Sequence, residues 1–180
     1  MNLPTLIPIG DAPTTGVLLA LDFDGVLNRF NDAAGPVRKS VRTAHGRSYM
    51  IDFDPAVITA LDDVVRDHNI VIGWLTTWGP NARAFIEQAF DGKLSGGHVL
   101  KKMPARHRGH VPANWKYTGL RDRVQVTGQK FVWVDDEAID MSVDEPGFDE
   151  FTAGGLLLRT DPVTGITFAQ IELIRAYAAE

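Results

Sequence analysis

The chain has 180 residues, enough for one domain with a real hydrophobic core, and its 44% hydrophobic and 23% charged content is ordinary for a soluble globular protein. It has no cysteine, which excludes a disulfide framework and a thiolate metal site, and no apolar run reaches the length of a membrane span. The net charge of -5 is unevenly spread: residues 93–130 hold nine Lys or Arg against one acid, Asp122, while the remainder holds nine basic and 22 acidic side chains. That asymmetry, with His98, His107 and His110 in the same segment, fits an anionic partner, and it fits a solvated basic loop as well.

Residues 1–15 carry three prolines and little pattern, and are expected to be a lead-in. They lack the basic start and apolar core of a signal peptide, so a cytoplasmic setting with no membrane partner is expected. Val17 to Leu21 is an unbroken apolar run and reads as a strand buried on both faces. It runs into Asp22, then Asp24, then Gly25, where the chain can turn sharply. Residues i and i+2 of a strand point to the same side, so the two carboxylates would repel unless a cation lies between them. Residues 28–54 show no sustained period and read as a hairpin or flap, with a short strand at Ser48 to Ile51. Asp54-Pro55 then opens a helix, Asp as N-cap and Pro at its first position, with Val57, Leu61, Val64 and Val65 at helical spacing.

Ile70 to Leu75 is the second buried strand and ends in Thr76-Thr77. A helix from about Asn81 to Phe90 follows the break at Gly79-Pro80. His98 to Leu100 reads as a short strand, Pro104 to Pro112 as a loop, and Ala113 to Val124 as a helix. Phe131 to Val134 is again a buried strand that runs into acids, Asp135, Asp136 and Glu137. Asp144 to Gly154 reads as an acidic loop and Leu156 to Leu158 as the last strand. Thr167 to Gln170 fits a capping box, and the helix behind it turns Phe168, Ile171, Ile174 and Ala178 inward. Alternating strands and helices predict a single α/β domain over residues 16–180, with a central parallel sheet and helices on both faces.

Three strands therefore end in polar chemistry, and in a parallel sheet those ends converge on one edge. Carboxylates gathered there without His or Cys suit a hard cation such as Mg²⁺. A hydroxyl at the same edge suits phosphate oxygens, and a lysine would complete charge neutralisation for phosphoryl transfer. Other features read more simply. Trp74, Trp78, Trp115 and Trp133 are core or sheet-packing residues before they are base-stacking platforms. Gly96-Gly97 and Gly154-Gly155 are turns, and His107 and His110 lack the companions a zinc site needs.

The run Asp22-Phe23-Asp24-Gly25-Val26-Leu27 resembles the first motif of the haloacid dehalogenase (HAD) superfamily of phosphohydrolases. Thr76 is similar to its second motif and Asp135-Asp136 to its acidic fourth. More narrowly, Leu27-Asn28, the run Trp74 to Trp78, the run Trp133 to Glu137, and Thr164 to Thr167 resemble the HAD domain of Swiss Army Knife RNA repair proteins. The resemblance implies a HAD-like, Rossmann-like three-layer sandwich with minimal or no cap.

It also implies roles. Asp22 would be the nucleophile that forms an aspartyl-phosphate, and Asp24 would protonate the leaving oxygen and later activate water. Mg²⁺ would be held by Asp22, the backbone carbonyl of Asp24, and Asp135, with Asp136 a further ligand or an orienter. Thr76 would bind phosphate, with Thr77 as the alternative, and Gly25, Thr77 and Lys102 would contact the substrate. Lys116 would be the third-motif lysine, with Lys101 and Lys102 as competitors. An uncapped site and the basic segment favour a nucleic-acid end phosphate, RNA or DNA, as substrate. A phosphatase of a small metabolite or nucleotide, and a non-catalytic binding module, are the rivals.

Overall fold

The structure is a computed structural model that describes residues 13–30, 36–105, 112 and 114–180. The parts of the expected lead-in, flap and basic loop that fall at 1–12, 31–35, 106–111 and 113 lie outside the described residues, His107 and His110 among them.

Among the described residues five parallel strands form the central sheet: β1 (Val17–Leu21), β4 (Ile70–Trp74), β5 (His98–Val99), β6 (Phe131–Asp135) and β7 (Gly155–Arg159), in the order β5-β4-β1-β6-β7. β2 (Val37–Arg42) and β3 (Ser48–Phe53) make a separate antiparallel hairpin. All five residues of β1 are buried, because its side chains alternate between two cores. Leu19 and Leu21 face one, shared with α1 (Pro55–Asp67), α2 (Ala82–Gln88), α5 (Phe168–Ala179) and the hairpin. Leu18 and Ala20 face the other, with α3 (Trp115–Thr127) and α4 (Phe148–Thr152). Helices on both faces of one parallel sheet are the three-layer architecture that the element order predicts. Among the described residues no helix is long and apolar enough to cross a membrane.

Local chemistry explains most boundaries. Asp54 caps α1 by accepting from Ala56 N at 2.8 Å, with Pro55 behind it. Gly128, left-handed at φ 65°, closes α3 three residues beyond the expected end. Thr167 and Gln170 form the capping box of α5. A 3₁₀ turn over Gly79–Asn81 precedes α2, so that helix starts at Ala82.

Two expectations are corrected. The stretch 144–154 is not all loop. Its α4 buries Phe148 against Tyr117 and stacks Phe151 on Phe131 at 4.8 Å, and this aromatic packing is what makes one helical turn stable. Phe168 does not face inward. It is 52% exposed at the first position of α5, while Ile171 and Ile174 carry the buried stripe.

Candidate active site

β1 and its two neighbours end level with one another. Leu21 lies opposite Trp74 of β4 and Val134 of β6. Asp22 N still donates to Val134 O at 3.1 Å, so the first carboxylate is anchored by the sheet itself. Asp22, Asp135 and Asp136 each bring a carboxylate oxygen within 4.8 Å of the others. Asp135 is fully buried, and its Oδ1 accepts from Glu137 N at 3.1 Å and Ala138 N at 2.6 Å. Asp22 Oδ1 accepts from Phe23 N at 2.6 Å.

Lys116, in the first turn of α3, is buried between two of these acids. Its Nζ donates to Asp135 Oδ2 at 2.8 Å and also to Asp22 Oδ2. The two competitors lie elsewhere: Lys101 donates to Thr118 and Asp122, and Lys102 is exposed and does not line the cleft described below. Gly25 is required for a steric reason. At φ 72° it turns the chain, and a Cβ there would lie 2.1 Å from Asp136 Oδ2.

One ammonium against three carboxylates would leave two negative charges in a largely buried place once all three ionise. Burial pushes Asp22 up to about 7; Lys116 opposes the shift and Asp135 adds to it. Asp136 is also raised, by burial and then by Asp135. Burial pulls the Lys116 ammonium down, but Asp22 and Asp135 together outweigh it and leave it above its usual value. Oxygen-only donors with a net deficit of two positive charges fit a divalent hard cation such as Mg²⁺.

The sign of this arrangement can be tested without substrate. A carboxyl raised in the folded state stabilises it at low pH and loses that contribution as pH rises through its folded value. In EDTA, the contribution of Asp22 to stability should therefore fall between about pH 4 and about 7. Thermal unfolding across that window is expected to show a steeper decline for the wild type than for Asp22→Asn, and millimolar Mg²⁺ should flatten the difference. Parallel curves in EDTA would contradict it.

Asp24 is held apart from the acid cluster. Its Oδ1 accepts from Asn28 Nδ2 and its Oδ2 from Trp78 Nε1, both at 2.7 Å. Neither donor was legible as a site residue: Trp78 reads as packing, and Asn28 only as part of the motif. The signal for Asn28 is its place four residues after Asp24; Trp78 has none beyond its place after Thr76-Thr77.

A cleft of about 370 Å³ opens over these groups, lined by Asp22, Asp24, Thr77, Lys116 and Asp136 among others. Thr77 is exposed on its wall, whereas Thr76 is fully buried, its Oγ1 facing Trp78 N at 3.4 Å. Phe30 and Met141 line it too and are 56% and 48% exposed. Trp115 also lines it, while Trp74 and Trp133 are core residues.

A family model described as the HAD domain in Swiss Army Knife RNA repair proteins matches residues 18–171. No curated protein matches the chain. The match runs from β1 into α5, and so includes every strand and acid that builds the cleft floor. A HAD domain implies phosphatase-type hydrolase chemistry. By fold, by strand-end acids and by this match, the chain belongs to the HAD domain family of Swiss Army Knife RNA repair proteins.

Proposed function

We propose that this chain is a Mg²⁺-dependent phosphomonoesterase that works through an aspartyl-phosphate on Asp22, with a nucleic-acid end phosphate or a nucleotide as substrate. The observation that supports it best is the buried Asp22–Lys116–Asp135 contact beside Asp136, at the floor of an open cleft.

Asp22, Asp135, Asp136 and the backbone carbonyl of Asp24 are the groups that would hold Mg²⁺, which when bound would neutralise phosphoryl charge. Asp22 attacks phosphorus as the ester P–O bond breaks. Asp24 gives its proton to the leaving oxygen and then takes one from the water that splits the acyl phosphate. Lys116 keeps Asp22 and Asp135 turned toward each other and supplies positive charge to the incoming phosphate. The phosphate hydroxyl contact is assigned to Thr77 rather than Thr76, because Thr77 faces the cleft.

The substrate class rests on the open cleft, its exposed apolar wall at Phe30 and Met141, and the family's RNA-repair setting. The basic segment contributes less than its charge suggests. Of its described Lys and Arg residues only Lys116 lines the cleft; Lys101 pairs with Asp122, Arg121 lies over Tyr117, and Lys130 over Tyr177. The test compares kcat/KM for a 3′- or 5′-phosphorylated oligonucleotide with that for mononucleotides, in Mg²⁺ at low salt. The oligonucleotide is expected to win by about tenfold or more through base contacts with the exposed Phe30 on the cleft wall. Equal values would move the reading to a small phosphorylated substrate.

A further inference from the structure

Asp24 and Asp22 lie two residues apart on one sheet edge, yet their carboxylates have separate surroundings. Asp22 shares Lys116 with Asp135, whereas both oxygens of Asp24 are taken by neutral donors, the Asn28 amide and the Trp78 indole. Those donors are themselves fixed. Asn28 Oδ1 accepts from Asp52 N of β3 at 3.0 Å, and Asp52 in turn is paired with Arg29 and Arg38. The Trp78 ring stands edge-on to Tyr49 of β3 at 4.5 Å and to Phe85 of α2 at 4.7 Å. The hairpin is no loose flap, since Val41, Ile51 and Phe53 are buried in the core beside α2.

We infer that Trp78 and Asn28 are positioning residues: they hold the Asp24 carboxyl out of the metal-binding cluster and aimed into the cleft for proton transfer. The inference rests on the phosphatase reading above. Each carboxyl oxygen has two lone pairs and spends one on its donor, which leaves the second face open to carry a proton. Without the indole N–H, Asp24 keeps only its Asn28 contact and can swing toward the cation that Asp22, Asp135 and Asp136 would hold, where it would be a ligand rather than an acid. The hairpin thereby becomes part of the catalytic framework, through Asp52 and Tyr49.

The proton matters only when the leaving oxygen needs one. In the first step the Asp22 Oδ–P bond forms, the ester P–O bond breaks, and the Asp24 proton passes to the departing alkoxide. A p-nitrophenolate leaves without that proton; a ribose or simple alkyl alkoxide does not. Since kcat/KM reports steps only through this first phosphoryl transfer, comparing it between the two ester types isolates proton donation.

The experiment is kcat/KM of wild type, Trp78→Phe and Asp24→Asn on p-nitrophenyl phosphate and on an alkyl phosphate. Phe keeps a ring between Tyr49 and Phe85 but has no N–H. Asp24→Asn sets the full size of the leaving-group effect, on the order of 10²–10⁴ on the alkyl ester. Trp78→Phe is expected to reproduce part of it, lowering the alkyl ester about tenfold or more beyond any loss on the nitrophenyl ester. An equal loss on both esters, or none on either, would overturn the positioning role while leaving the phosphatase reading intact. A wild type that cleaves neither ester would overturn that reading, and this inference with it.

Discussion

Lys116→Met is expected to destabilise the protein by about 3–5 kcal/mol, because it leaves the buried Asp22 and Asp135 carboxylates without their shared cation. The methionine fills nearly the same space, so the loss reports charge rather than a cavity. Asp135 has no solvent exposure and Asp22 little, so water cannot replace the ammonium. For a domain of this size the drop in Tm should be roughly 10 °C in EDTA. Mg²⁺ is expected to recover more of the variant's stability than it adds to the wild type, since the cluster then has one more negative charge to neutralise. On the mechanism proposed, phosphate release should be lost as well, because Asp22 and the incoming phosphate both lose the ammonium. Calorimetry with and without Mg²⁺ checks the first part; a Tm within a few degrees of the wild type in EDTA would show that Lys116 does not carry the cluster's charge.

How far this site could be seen in the sequence differs residue by residue. β1 was legible because a strand buried on both faces leaves an unbroken apolar run, and an acid straight after such a run stands out. Asp22 and Asp135 were readable for that reason, and the parallel order brought them together. Lys116 is favoured over Lys101 and Lys102 in the sequence by its place on a helix before the strand of Asp135, but only the fold puts its ammonium against the acids. It sits between the buried Trp115 and Tyr117, so α3 offers no polar face that marks it, and only packing turns it toward the acids. Trp78 was hidden by its chemistry: a tryptophan is spent on packing far more often than on a single N–H, and its acceptor is 54 residues away. The basic segment allows two readings in the sequence, an anionic partner or a solvated loop. Its charges are contiguous in sequence, but α3 and the strands around it send the described ones to different places. α4 was missed because five residues are too few to show a helical period, and its aromatic partners come from α3 and β6.

Asp22→Asn is expected to lower Mg²⁺-dependent phosphate release by on the order of 10⁴-fold or more, because an amide neither attacks phosphorus nor binds a cation strongly. The protein should stay folded. Removing a carboxylate that burial and Asp135 already disfavour relieves repulsion, and Lys116 keeps Asp135. Loss of activity alone would follow equally if Asp22 only held the metal. The distinguishing step is covalent: an aspartyl-phosphate is an acyl phosphate, which borohydride reduces to homoserine, whereas a carboxylate that merely binds metal is left unchanged. The decisive measurement is therefore peptide mass spectrometry after borohydride quenching of the wild type during turnover with Mg²⁺. Conversion of Asp22 to homoserine, dependent on substrate and absent in EDTA, is the result expected here. Turnover with Asp22 unmodified, or with the label on Asp24, would contradict it.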